Sequence, residues 1–205
     1  MPIADAGVVA HRLRSAGTPD RPQLIEFQWR YRGQEGRFSG DGAVRVNPPD
    51  SVRLDLLGPG WSGVQSAVLL EDNVYYMGEQ RIELPPPAFM WAMIGAFRPP
   101  AGIEPQASSR GELTELAYPL SVRDTIAYRF DGEGRLVEAE LQINGDVVQE
   151  IKIEHEEAER STSGYRWPRE ARFRDLGEYH EVRIKVVEIR EHAPFESRIF
   201  RVADR

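Results

Sequence analysis

"LIEFQWRYRGQEGRFSGDGAVRVNPPDSVRLDL", residues 24–56, changes character with almost every residue. Ile25, Phe27, Trp29 and Tyr31 alternate with Glu26, Gln28, Arg30 and Arg32, the two-residue period of a strand with one buried face. "GQEG" at 33–36 turns the chain, and Phe38, Gly40, Gly42, Val44 and Val46 repeat the alternation. "NPPD" at 47–50 turns it again, into a third strand with Val52, Leu54 and Leu56. Short strands joined by tight turns predict an antiparallel meander. Gly40 and Gly42 inside a strand imply strong bending or a close approach of backbones.

Working outward, residues 4–15 read as an amphipathic helix with Val8, Val9 and Leu13 on one side, ended by Gly17, Pro19 and Pro22. Residues 64–71 and 73–77 extend the meander. "PPPAFMWAMIGAFRPP" at 85–100 breaks the rhythm: Pro87 suits a first helical turn, and 86–97 reads as a short helix that is apolar nearly all round. Such a helix is buried. Strands then resume at 112–118, 124–130, 135–143, 147–154, 165–174, 178–190 and 198–202, with "NGD" a strong hairpin signal. Eleven or twelve antiparallel strands and two helical pieces predict one sheet-dominated, mainly β domain.

The 205 residues are 40% hydrophobic and 29% charged, the balance of a globular protein able to bury a full core. A net charge of −7, with Arg and Glu interspersed, offers no basic stripe for nucleic acid. Cysteine is absent, which excludes disulfides, thiol nucleophiles and Cys-based zinc sites within these residues. Nothing supplies the roughly 18 consecutive apolar residues of a spanning helix. The stretch "MPIADAGVVAHRLRSAG" lacks the basic and apolar regions of a signal peptide.

Catalytic and metal chemistry find little purchase. His11, His155, His180 and His192 stand in no metal-binding spacing, and "HEEAE" at 155–159 is not the zinc-protease pattern. Glycine-rich "GPGWSG" and "GEGRL" lack the strand-to-helix setting that cradles phosphate. Ser62, Ser66, Ser108 and Ser109 have no nucleophile-elbow context. Glu156, Glu157 and Glu159 read as a solvated charge run. The expectation is no enzyme, no catalytic residue, no cofactor and no metal. Large apolar residues stand out instead. Phe27, Trp29, Tyr31 and Phe38 point to one face, and the Met/Trp/Phe helix belongs on that face. This arrangement makes either a filled core or the lining of an apolar pocket, both usual in barrels.

The order of elements resembles the LolA/LolB superfamily of bacterial lipoprotein carriers and receptors. An N-terminal helix, the meander "FQWRY…EGRFSGDGAVRVNPPDSVRLDLLGPGWSGVQSAVLLEDNVYYM", a proline-flanked apolar helix and the closing "YRWPREARFRD…YHEVRIKVVEIREHAPFESRIFRV" carry the likeness over about 24–202. The resemblance implies a single domain over 1–205 with helix 4–15, strands 24–84, lid helix 86–97 and strands 112–202. It implies a curved antiparallel sheet forming an unclosed half-barrel of about eleven strands, the short apolar helix serving as lid. The hollow between them would receive acyl chains of lipoproteins or another lipid, lined by Phe27, Trp29, Tyr31, Phe38, Val44, Leu54, Leu56, Met90, Trp91, Met93, Ile94 and Phe97. It further implies a monomer in the periplasm, attached to the outer membrane through a lipidated N-terminal cysteine lying ahead of these residues. Trp61, between the glycines of "GPGWSG", matches the apolar loop tip that meets the membrane or a partner, a role suited to an indole. Two rivals stand beside this reading: a structural module of an envelope complex with a filled barrel, and a hydrolase or isomerase needing an acid and base inside the barrel.

Overall fold

The computed structural model describes residues 1–58, 64–70, 73–78, 80, 82–155 and 167–201. After helix α1 (Ala6–Ala16) come β1 (Gln23–Gly33), β2 (Gly36–Asn47), β3 (Ser51–Leu57), β4 (Val64–Leu70) and β5 (Asn73–Met77). Helix α2 (Pro87–Met93) is followed by β6 (Gln106–Arg110), β7 (Leu113–Pro119), β8 (Asp124–Phe130), β9 (Leu136–Ile143), β10 (Asp146–Glu154), β11 (Glu170–Asp175) and β12 (His180–Glu191).

All twelve strands share one sheet in the order β5-β4-β3-β2-β1-β12-β11-β10-β9-β8-β7-β6, and each neighbouring pair is antiparallel. Two meanders, β1–β5 and β6–β12, are therefore sewn together by a single long-range pairing, β1 with β12. The sheet is curved but does not close: β5 and β6 are its two edges. The backbone of Pro2 and Ile3 runs beside β6, with Ile3 N–H donating to the Ala107 carbonyl at 2.9 Å, which covers that edge.

Where sequence and structure differ, local packing supplies the reason. The polar "QASSR" of β6 has no apolar alternation to announce it; it is a strand because β7 and residues 2–3 flank it. The segment expected as a last strand at 198–202 instead forms a 3-10 turn over Ser197–Phe200. Both neighbours of β12 are already taken, so this segment buries Phe200 on the outer face, where Arg53 Nη1 donates to the Ile199 carbonyl at 3.0 Å. The lid helix is shorter than 86–97: Gly95 adopts φ 78°, and the chain leaves the helix there. In α1, Ala10 and Leu13 are buried while Val8 faces outward.

Candidate functional site

The concave face is built by side chains that alternate inward, and its curvature depends on glycine. Register places Gly40 opposite Trp29 and Gly42 opposite Phe27. A Cβ at Gly42 would stand 2.4 Å from Phe27 Cζ, and one at Gly40 would stand 1.8 Å from the Leu57 carbonyl oxygen. The missing side chain at Gly42 leaves room for the Phe27 ring, and the one at Gly40 lets the Leu57 backbone come close. The Trp29 indole N–H is then satisfied twice, donating to the carbonyls of Asp41 at 3.1 Å and Leu57 at 3.2 Å. A buried tryptophan needs such a partner.

Against this face lies α2. Pro86 and Pro87 set its start and no polar side chain caps it. One side of α2 rests on β9–β11, where Phe89 meets Phe173 at 5.2 Å between ring centres. The other side looks across to β1–β4, and an apolar hollow of about 40 Å³ remains between them. Phe27, Trp29, Val44, Leu54, Leu56, Met90, Met93 and Ile94, all expected from sequence, line it. So do Val52, Leu69, Leu84, Pro85, Val182 and Ile184, which sequence reading did not single out. No lining side chain carries a charge.

Four expected lining residues lie elsewhere. Phe97, beyond the end of α2, packs edge-on against Tyr128 and Phe130 at 4.9 and 5.0 Å and fills the far half of the barrel. Trp91 is buried under the Arg98 guanidinium, 4.6 Å from its ring centre. Tyr31 and Phe38 meet each other as tilted rings, 6.1 Å between centres, outside the lining of the hollow. Trp61, Glu156, Glu157 and Glu159 fall outside the described residues. The hollow is thus far smaller than a long acyl chain, because the methionines and Ile94 of the α2 segment occupy the space. By volume it has room for about three water molecules.

Beyond the hollow the concave face turns polar. The Tyr31 hydroxyl donates to Glu35, and burial, followed by that carboxylate, holds the phenol well above its ordinary range. Next along β12 from Val182, the buried His180 ring stacks 6.0 Å from Tyr31 and 5.6 Å from Phe173. Neither of its nitrogens has a hydrogen-bond partner among the described residues; Glu83 Oε2 stands 4.0 Å from Nδ1. On the outer face, the carboxylates of Glu138, Glu140 and Glu150 lie within 4.8 Å of one another. Arg129 bonds Glu138 and Glu140, and Arg174 bonds Glu150, so this cluster is already charge-paired.

The sequence matches no protein-family model and no curated protein. Solved structures do match the fold. A LolA superfamily protein from Nitrosomonas europaea aligns with a TM-score of 0.63 at 12% identity, covering 98% of this chain and 99% of that one. A domain from Vibrio parahaemolyticus assigned to outer membrane lipoprotein sorting aligns at 0.50 with 9% identity, covering 94% of each chain. A DUF1329 family protein from Desulfovibrio piger aligns at 0.50 with 11% identity over 98% of this chain and 97% of that one. An unclosed twelve-stranded sheet with an N-terminal helix and a short apolar helix, laid out as in these proteins, is a LolA/LolB-like fold.

Proposed function

We propose that this protein is a non-enzymatic carrier or receptor of the cell envelope, binding lipoprotein acyl chains or another lipid between the concave sheet and α2. The observation that carries the reading is the uncharged lining, made from four strands of one meander, from β12 of the other, and from the α2 segment. Such a surface recognises an apolar chain and offers no acid, base or nucleophile to react with it. In the setting suggested by the fold, the protein acts in the periplasm as one domain and a monomer. An outer-membrane anchor precedes these residues, and Trp61, between β3 and β4, touches the membrane or a partner.

Occupation requires α2 to shift, since about 40 Å³ accepts no long chain. The physics permits it. Burying each methylene contributes about 0.8 kcal/mol, so a sixteen-carbon chain supplies roughly 10 kcal/mol before ordering costs. The apolar contacts that the Met90 and Met93 side chains make in the hollow are non-directional, and a lipid chain substitutes for them directly.

The test is displacement of the neutral apolar probe N-phenyl-1-naphthylamine by acyl lipids. Leu54→Trp fills the hollow from a half-buried position and is expected to weaken probe binding about tenfold or more, given the steric cost of overpacking. Trp61→Glu is expected to leave probe binding unchanged and to abolish transfer of bound lipid to liposomes. A wild-type protein that binds no apolar probe overturns the reading in favour of a filled structural module.

A further inference from the structure

Near the hollow lies a buried imidazole that has no hydrogen-bond partner among the described residues. His180 is 5% exposed, its ring held between Tyr31 and Phe173, with both nitrogens unbonded among the described residues. A buried polar group in that state is costly unless something uses it. Val182, which lines the hollow, lies two residues along the same strand, about 7 Å by strand geometry. Leu84 and Pro85 line the hollow as well, and Glu83, directly before them, stands 4.0 Å from His180. One short segment therefore covers both the apolar room and the imidazole, and a lipid chain that pushes α2 aside uncovers His180 at the chain's end.

Resting on the carrier reading, we propose that His180 seats the polar end of the bound lipid, and that this seat takes a neutral hydroxyl or amide in preference to a carboxylate or phosphate. The charges around it decide the preference. Glu83 faces the ring directly, Glu35 is joined to the adjacent Tyr31 hydroxyl, and Asp175 pairs with His180 across β11 and β12. Asp175 is committed to the N–H groups of Gly177 and Glu178 and to Gln149. Among the described residues, three carboxylates stand on the side of the seat and the imidazole is the one group there that could carry positive charge. An arriving anion meets net repulsion whether the imidazole is neutral or protonated. A neutral imidazole presents one donor and one acceptor, the pair that a hydroxyl or an amide complements.

The experiment compares ligands that share one palmitoyl chain: 1-palmitoylglycerol, N-palmitoylethanolamine, palmitate and 1-palmitoyl lysophosphatidate. Each competes with N-phenyl-1-naphthylamine below its aggregation concentration, at about pH 8, where the two anionic headgroups are ionised. The wild type is expected to bind the two neutral lipids about tenfold tighter than the two anions, the equivalent of one lost hydrogen bond. His180→Phe is expected to keep probe binding and lose the preference, and His180→Gln, which retains a donor and an acceptor, to restore it. Equal or tighter binding of palmitate by the wild type, or an undiminished preference in His180→Phe, overturns the seat while leaving the carrier reading intact. If no ligand displaces the probe, because none binds, both fall together.

Discussion

Gly40 and Gly42 show how an absent methyl group shapes a sheet. What a Cβ would cost there is set by contact: at Gly42 it meets the end of the Phe27 ring at 2.4 Å and the Asp55 carbonyl only at 3.0 Å, whereas at Gly40 it meets the Leu57 carbonyl at 1.8 Å. A ring can tilt and a paired carbonyl cannot, so the two positions differ in tolerance. Gly42→Ala is expected to destabilise by about 1–3 kcal/mol, and Gly40→Ala by more than about 3 kcal/mol. Gly7→Ala, in α1 with nothing within 4 Å of its would-be Cβ, is expected to gain roughly 0.5 kcal/mol. Thermal melting of the three variants checks the ranking; equal losses at 40 and 42 contradict it. His155 sets a pH dependence of another kind. Burial pushes its imidazole below the ordinary 6.5, against the opposing pull of the Leu136 carbonyl, 2.8 Å from Nε2. The unfolded chain takes up that proton at higher pH than the fold does. This stability is therefore whole above 6.5 and is lost as pH falls toward the folded value. Melting temperature followed from about pH 8 to about pH 5 is expected to fall less steeply in His155→Gln than in the wild type.

Polar ties hold the segments that flank α2. Upstream, the Gln65 side chain clasps the backbone of Ile82, donating to its carbonyl at 2.9 Å and accepting its N–H at 3.1 Å. Downstream, Arg98 donates to the Pro49 carbonyl and lies over Trp91, while the Tyr128 hydroxyl donates to the Arg98 carbonyl at 3.2 Å. Arg98→Met keeps much of the apolar stem and removes the tie to the turn between β2 and β3. Faster amide hydrogen exchange in α2 is expected, with β1 and β12 unchanged; uniform acceleration through the sheet would show a global rather than a local tie. These elements were unequally legible. β1 and β2 announce themselves because each buries one face and exposes the other. β6 does not, since only Ala107 of its residues is buried and one of its partners, residues 2–3, comes from about a hundred positions earlier in the chain. The length of α2 was hidden too: apolar content says that 86–97 is buried, whereas the positive φ of Gly95 says where the helix stops.

At the scale of the molecule, the candidate site was half readable. Phe27, Trp29, Val44 and Leu56 share a meander whose register follows from adjacent turns. Val182 and Ile184 reach the same hollow only because β12 comes back beside β1, a pairing that no local pattern encodes. Phe97 and Trp91 looked equivalent to Met90 and Met93 by composition, and only packing places Phe97 against Tyr128 and Phe130 and Trp91 under Arg98 rather than on the hollow. The seam has a consequence for how such a chain comes into being. Each half zips from hairpin to hairpin as it is synthesised, but the opening strand waits for the closing one across nearly the full length of the polypeptide, the slowest kind of contact to make. Until that moment β1 offers a bare ladder to any passing strand. A product cut short before β12 would lose far more than a strand: its halves would have no strand pairing to join their sheets into one.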